Sequence, residues 1–346
     1  MKKIINILAF IMIGVGLFIL IQPYISLIQR KSNASAAVSE FRAQAERCRK
    51  ETESVPDNTT SAQKSEGSGE SSAQKDSSNS TEKNSYLALY REMQQYNKKI
   101  SEEKQTGLRD VFSYSTSSFD LSSFGVRDDM VGYLTIDRMG VQLPVYIGSS
   151  SANMNRGATI MNQTSMPIGG NNTNCVIAAH RMAGYFGDIE LLSREDIITL
   201  DNLWGTLYYR VAKIIVIDPY DTDKVKIIPD KDMITLLTCH PYWDNSSRYV
   251  VYCERITSSE SRSSTQQPDT ETSDTADEGK LSRDAAANTD ADSLPSGKQF
   301  QNSQSTISAE RLVRNIGAAV AAVLMIFCLV NIIRSFLPDL KRKRHN

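Results

Sequence analysis

The sequence predicts a mainly β fold, a closed or nearly closed barrel or sandwich, preceded by an amphipathic helix and set between apolar terminal segments. Three observations predict it. Six or more short β-type runs crowd between residues 131 and 256, with few helix signals among them. Two stretches dominated by Ser, Glu, Lys, Asn, Thr and Asp, 51–84 and 257–310, bracket this region. The interval left between them, about 170 residues, suits one domain.

The elements follow in order. Tyr86, Leu89, Tyr90, Met93, Tyr96 and Ile100 recur at three- and four-residue spacing, the period of a helix with one apolar face. Val131–Ile136 and Val141–Ile147 flank a turn ending in Gly140 and read as a hairpin. Further strand-like runs are Cys175–Ala179, Leu207–Ile217, Val225–Ile228, Met233–Thr238 and Tyr249–Ile256. Short helical turns are expected at Ser151–Arg156 and Phe186–Ser193.

The ends are different in kind. Ile4–Ile21 and Ile316–Ile333 are each eighteen residues of almost unbroken apolar side chains, long enough to cross a hydrocarbon core of about 30 Å. A cleaved signal peptide is the competing reading of the first. Its run exceeds the usual hydrophobic region, and Gln22-Pro23-Tyr24 is no small-residue cleavage site. Lys341–Arg344 places the C-terminus in the cytoplasm, so two spans leave residues 22–315 outside the cell. The expected order is therefore a membrane anchor at 1–30, a juxtamembrane and disordered linker at 31–84 and a folded domain at 85–256. A second disordered linker follows at 257–310, then a transmembrane helix with a basic tail at 311–346.

Formal net charge is −1, which excludes a nucleic-acid footprint; the basic tail is a topology signal. The three histidines have no clustered partners and there is no C-x-x-C pair, so neither a metal nor a cofactor is expected. Five cysteines (48, 175, 239, 253, 328) in an exported chain leave at least one free.

One constellation carries chemistry. Cys239 ends the run Thr235–Thr238 and is followed by His240-Pro241; His180 ends the run from Cys175; Arg248 opens the last strand-like run. A nucleophile, a proton partner and a cation for a developing oxyanion are the parts of a thiol acyl-transfer site. Alternation along strands sets His180 on the face of Val176 and Ala178, opposite Cys175, and sets Arg248 opposite Cys253. Cys239, His180 and Arg248 can therefore converge, while Cys175 and Cys253 face elsewhere. His240 competes with His180, but its neighbour position turns it to the other face. Taken singly, a buried cysteine is more often a small hydrophobe than a nucleophile.

Thr235-Leu236-Leu237-Thr238-Cys239 with Arg248, together with Ala178-Ala179-His180-Arg181, resembles the signature of sortases, the cysteine transpeptidases of Gram-positive bacteria. Thr164–Asn172, Val131-Gly132-Tyr133, Thr235–Tyr242 and the second apolar span are similar to class C, the pilus-assembling branch. The resemblance covers about Tyr90 to Ile256 and implies an eight-stranded β-barrel. It also implies Cys239 as nucleophile, His180 as proton donor and Arg248 as transition-state cation. The implied substrate is the Thr–Gly bond of an LPXTG-like sorting signal, opened through a thioacyl intermediate that a pilin lysine amine resolves. The partners so implied are pilin or surface-protein sorting signals, an acceptor amine and the membrane, with no nucleic acid.

Attachment to a peptidoglycan precursor is the alternative within the class, and a tethered non-catalytic surface protein the alternative outside it. A papain-like protease would need Cys before His in the chain and a helix bearing the Cys. Class C members often carry a lid, an Asp-Pro-aromatic motif ahead of the barrel. Asp110-Val111-Phe112 stands at the matching place, with valine for proline. The other reading of Phe112 is an ordinary loop aromatic buried for packing. As a lid, Asp110 would lie near Cys239 and disfavour the thiolate, while Phe112 would shield His180 or Arg248.

Overall fold

The computed structural model describes residues 2–53, 77–113, 128–241, 244–265 and 293–299, with a few single positions besides. Two compact units divide the chain, residues 1–32 with 301–346, and residues 33–300.

In the second unit eight strands form one sheet. They are β1 (Met130–Ile136), β2 (Val141–Ile147), β3 (Ala158–Ile160), β4 (Thr173–Ala178), β5 (Ile197–Asn202), β6 (Thr206–Ile217), β7 (Asp232–His240) and β8 (Ser247–Ile256). Their order is β5-β1-β2-β3-β4-β7-β8-β6, and a β5–β6 pairing closes the sheet on itself. Closure leaves few strand edges open to stray pairing. The eight-stranded mainly β barrel is the fold that the sequence resemblance implied.

The pairs β2–β3 and β4–β7 are parallel, and the remaining barrel pairs are antiparallel. The β1–β2 turn ends on Gly140 at φ 61°, a conformation that glycine adopts without a Cβ penalty. Side-chain parity sorts the strands into two cores. Cys175, Ile177, Leu236, Val251 and Cys253 belong to the larger, which fills the barrel. Val176, Ala178, Met233, Leu237, Val250, Tyr252, Ile215 and Ile217 form a smaller cluster on the opposite face of β4, β7, β8 and β6. Ile234 of β7 lies in register with Cys175 on one side and Cys253 on the other.

Helix α2 (Ser77–Glu102) contains the expected amphipathic segment, with Leu89, Met93 and Ile100 buried. It begins at Ser77, so the tail of the first expected linker is helical. The N-terminal helix α1 (Lys2–Glu53) corrects the same linker from the other side. Val38, Phe41, Ala45 and Cys48, spaced by three and four, are buried in the larger core. Arg42 donates to the Tyr133 hydroxyl (3.3 Å) and Arg49 to the Asn202 carbonyl (2.7 Å). Each large apolar side chain so covered contributes about 1.5–3 kcal/mol, more than a solvated tether could offer.

Three further expectations need correction. Val225–Ile228 is no strand: residues Thr222–Val225 form a 3₁₀ turn. The Asn174 side-chain amide donates to the carbonyls of Val225 (3.0 Å) and Lys226 (3.2 Å), so side chains satisfy this backbone in place of a ladder. β3 and β5 were not anticipated; β3 has only three residues. The second linker is ordered in part. Ser258–Thr265 forms a short helix, and Lys298–Gln299 adds a ninth strand, β9, along the part of β6 beyond its β5 pairing. Leu294 is 3 % exposed there and supplies the apolar anchor that the rest of the linker lacks.

Among the described residues no helix is long and apolar enough to cross a membrane. The expected span 316–333 lies almost wholly outside the described residues, as do most side chains of 4–21.

Candidate active site

Cys239 is the penultimate residue of β7, and its register partner on β8 is Arg248. Directly paired residues of antiparallel strands share a face. Here that face is the one carrying Leu237, Val250 and Tyr252. The parallel pairing of β4 with β7 runs one step past Ala178, because the Ala179 amide donates to the Leu237 carbonyl (3.2 Å) and the Thr238 hydroxyl to the Ala179 carbonyl (2.8 Å). His180 therefore emerges beside the strand end that bears Cys239. Its own carbonyl accepts from the Met182 and Phe186 amides (3.0 and 3.1 Å), which fixes the backbone from which the imidazole projects.

Cys175 and Cys253 point into the barrel, and burial pushes both thiols well up from the usual range. Cys239 is the partly exposed cysteine among the described residues. Burial raises its pKa too; Arg248 opposes this, Asp110 adds to it, and Arg181 opposes it again. The net direction is upward, so the thiol is the resting form.

Asp110 and Phe112 lie at the same place. Asp110 accepts from Arg248 Nε (2.9 Å) and Nη2 (2.7 Å), a two-pronged ion pair with side chains 19 % and 9 % exposed. The Arg248 guanidinium lies 5.0 Å from the centre of the Phe112 ring, and that ring is 6.1 Å from the His180 ring. Phe112 packs with the smaller cluster, half-buried. Arg248 Nη1 donates to the carbonyls of Asn245 and Ser247, both at 2.9 Å. Four of its five N–H bonds are thus committed, two of them to Asp110.

Sequence reasoning missed the groups behind the site. Arg181 donates through Nη2 to Glu190, and through Nη1 to the Cys239 carbonyl (3.4 Å); Nη1 also lies 2.6 Å from His240 Nδ1. His240 is engaged there and packs on Tyr249 (5.7 Å between rings), on the other side of the strand from Leu237 and Arg248. Burial pushes the Glu190 carboxyl up, but the adjacent His240 and Arg181 outweigh it and hold it below the usual range. The only signal in the sequence was a charged residue next to His180. Among the described residues no group of His, Cys, Asp and Glu could hold a metal ion.

The profile described as "Sortase domain" matches residues 134–256. Sortase A of Bacillus anthracis is 32 % identical over 130 residues, 36 % of this chain and 59 % of that protein. Sortase D of Bacillus subtilis (strain 168) is 26 % identical over 129 residues, 36 % of this chain and 64 % of that one. The chain thus spans about three fifths of the length of the curated relatives it matches. Among solved structures, sortase C2 of group B Streptococcus pilus island 1 is 34 % identical over 51 % of this chain and 98 % of that chain, at a TM-score of 0.45. Sortase C1 of the same pilus island is 23 % identical over 69 % and 97 %, at 0.49. The strands from within β1 to the end of β8, with Cys239, His180 and Arg248 among them, thus match a sortase domain.

Proposed function

We propose that this chain is a membrane-anchored transpeptidase that opens the Thr–Gly bond of an LPXTG-like sorting signal and joins the threonine carbonyl to a lysine amine of a pilin subunit. One observation carries the reading: Cys239 and Arg248 are register partners on the face where β4 delivers His180.

The steps follow from the groups. Cys239 Sγ, as thiolate, attacks the threonine carbonyl carbon. Negative charge gathers on the carbonyl oxygen, and the Nε–Nη2 edge of Arg248 is the donor pair for it. The C–N bond breaks as His180 gives its proton to the departing glycine amine, leaving a thioacyl enzyme. A lysine amine then attacks that carbonyl, the C–S bond breaks, and an isopeptide bond remains. His180 takes the proton that the incoming amine loses, and Cys239 leaves as the thiolate beside it, which restores the starting pair.

Asp110 and Phe112 act as a lid in this scheme. The carboxylate occupies the Arg248 edge that the oxyanion needs, and its charge disfavours the thiolate. Phe112 covers His180. Gly107 at φ 129° provides a pivot just upstream, and Gln105 anchors the segment between the Gln163 carbonyl (2.8 Å) and the Ile227 amide (2.6 Å). The closed form rests and the open form turns over.

Two spans with the domain outside the cell complete the proposal. Val15, Phe18 and Ile28 on α1, and Val323 and Ile326 near the C-terminus, are more than half exposed, a surface that suits lipid better than water. The test is mass spectrometry of the full-length protein with an LPXTG peptide and a lysine-bearing acceptor. Release of the glycine fragment, an acyl adduct on Cys239 and an isopeptide product are expected, and all three vanish in Cys239→Ala. Cleavage that survives Cys239→Ala overturns the proposal. Products formed only with a peptidoglycan-type amine would redirect it to wall attachment.

A further inference from the structure

Directly behind the site sits an ion pair that the mechanism above does not use. Arg181 and Glu190 have side chains 8 % and 13 % exposed. They join three pieces of chain. Arg181 is the residue after His180, Glu190 lies near the end of the 3₁₀ turn Phe186–Leu191, and Cys239 and His240 end β7. A buried charge is costly unless paired and hydrogen-bonded. Arg181 meets that condition with acceptors on all sides: the Glu190 carboxylate, the His240 ring nitrogen at 2.6 Å and the Cys239 carbonyl at 3.4 Å. His240 Nδ1 is also 3.4 Å from Glu190 Oε1, so the three side chains form one closed cluster.

The consequence lies in the two backbone attachments. His180 and Cys239 stand at the ends of neighbouring parallel strands, but the ladder itself stops at Ala178↔Leu237. Beyond it the Ala179 amide and the Thr238 hydroxyl cross between the strands. The guanidinium of Arg181 is the next link outward, from the residue after one functional group to the carbonyl of the other. We infer that Arg181 is a positioning residue for the transfer reaction. Balanced by Glu190 and braced by His240, it fixes the strand end bearing Cys239 against the turn bearing His180. The inference rests on the proposed roles of those two residues. It also gives a task to His240, which sits beside Cys239 but faces away from it: its ring nitrogen lies 2.6 Å from the guanidinium and braces it. Charge reaches the thiol as well, since Arg181 opposes the upward shift of Cys239.

The experiment uses full-length protein and two readouts. The first is kcat and KM on an LPXTG peptide. Arg181→Met is expected to lower kcat by about tenfold or more while KM changes little, since a misplacement near 1 Å can cost up to about a hundredfold. Arg181→Lys is expected to recover only part, because a point ammonium cannot span three acceptors. Arg181→Met with Glu190→Met removes both charges; if Arg181 served only to neutralise Glu190, this variant would regain full turnover, which would overturn the inference. The second readout is the pH dependence of Cys239 alkylation by iodoacetamide, mapped by peptide mass spectrometry. Arg248 on β8 and Asp110 on the lid act on the thiol from its own face, where β4 delivers His180, and Arg181 acts on it from behind. Losing Arg181 alone should move the midpoint to higher pH and slow alkylation at pH 7 by about twofold or more, following thiolate fraction. This readout needs no turnover. Should the wild type cleave no sorting-signal peptide, the proposed function falls and the alkylation midpoint alone decides this inference. An unchanged midpoint in a folded Arg181→Met variant counts against it.

Discussion

Consider the double substitution Asp110→Ala with Phe112→Ala in full-length protein. Two contacts hold the segment shut. The Asp110–Arg248 pair has two charge-assisted hydrogen bonds and is mostly buried, which is worth about 1.5–3 kcal/mol net of the solvation both groups regain on opening. The Phe112 ring over the guanidinium adds about 0.5–1 kcal/mol. Together they favour the closed form by roughly 2–4 kcal/mol, which is about thirty- to several-hundredfold at 1.4 kcal/mol per tenfold. A reagent that reaches Cys239 only in the open form should therefore react about thirty- to several-hundredfold faster with the double variant. Losing Asp110 should also shift the rate–pH curve to lower pH, because its charge is one of the causes raising the thiol. Iodoacetamide labelling at pH 7, followed at the Cys239 peptide, measures both. The buried cysteines 48, 175 and 253 provide an internal baseline. A rate matching the parent, in a variant with parental circular dichroism and melting, would refute the lid.

Arg248→Lys separates two roles: turnover should fall by about 10²–10³ with loss of the donor pair, yet Cys239 labelling should rise because Asp110 loses its fork. Cys175→Ala and Cys253→Ala should keep turnover within a few fold while lowering the melting temperature, since each removes buried volume but neither shares the face of Arg248; abolished activity in a folded variant would show the face assignment to be wrong. Glu190 is held below the usual carboxylate range when folded, so its contribution is present above its unfolded pKa and lost as pH falls through the folded one; Glu190→Gln should flatten the acid limb of a stability–pH curve measured by urea unfolding. Gly132→Ala would bring a Cβ to 2.4 Å from the Asp201 carbonyl where β1 meets β5, and should cost about 1–3 kcal/mol, read from the same unfolding curves.

What was legible in the sequence depended on whether a signal was local. The β1–β2 hairpin announced itself through alternation and Gly140, and the faces of β4, β7 and β8 followed from parity alone. Cys239, His180 and Arg248 stood at strand ends, where one-residue counting suffices to bring them to one side. β5 was readable in hindsight, since Ile198, Leu200 and Asn202 alternate as buried positions. β3 was not, because three residues carry no period. Val225–Ile228 was misread because its apolar residues do mark burial, while the Asn174 amide that replaces a strand partner lies some fifty residues away. The buried stripe Val38, Phe41, Ala45 and Cys48 was overshadowed by the apolar run before it. The Arg181–Glu190–His240 cluster depends on where two turns meet, and no spacing rule reports that.

The register around Ile234 bears on how this chain survives oxidants. Cys175 and Cys253 sit on strands either side of it, two inter-strand steps apart, or about 9.6 Å at 4.8 Å per step. A disulfide needs Cα atoms within about 7 Å, so a single intervening residue keeps the pair reduced without help from any reductase. Cys239, on the opposite face, has neither of them within reach as a resolving thiol. Oxidation by one electron pair would therefore leave it as a sulfenic acid with no intramolecular partner among these cysteines, and recovery would depend on a thiol from outside. The barrel that spares Cys239 from wrong pairing also denies it a rescuer.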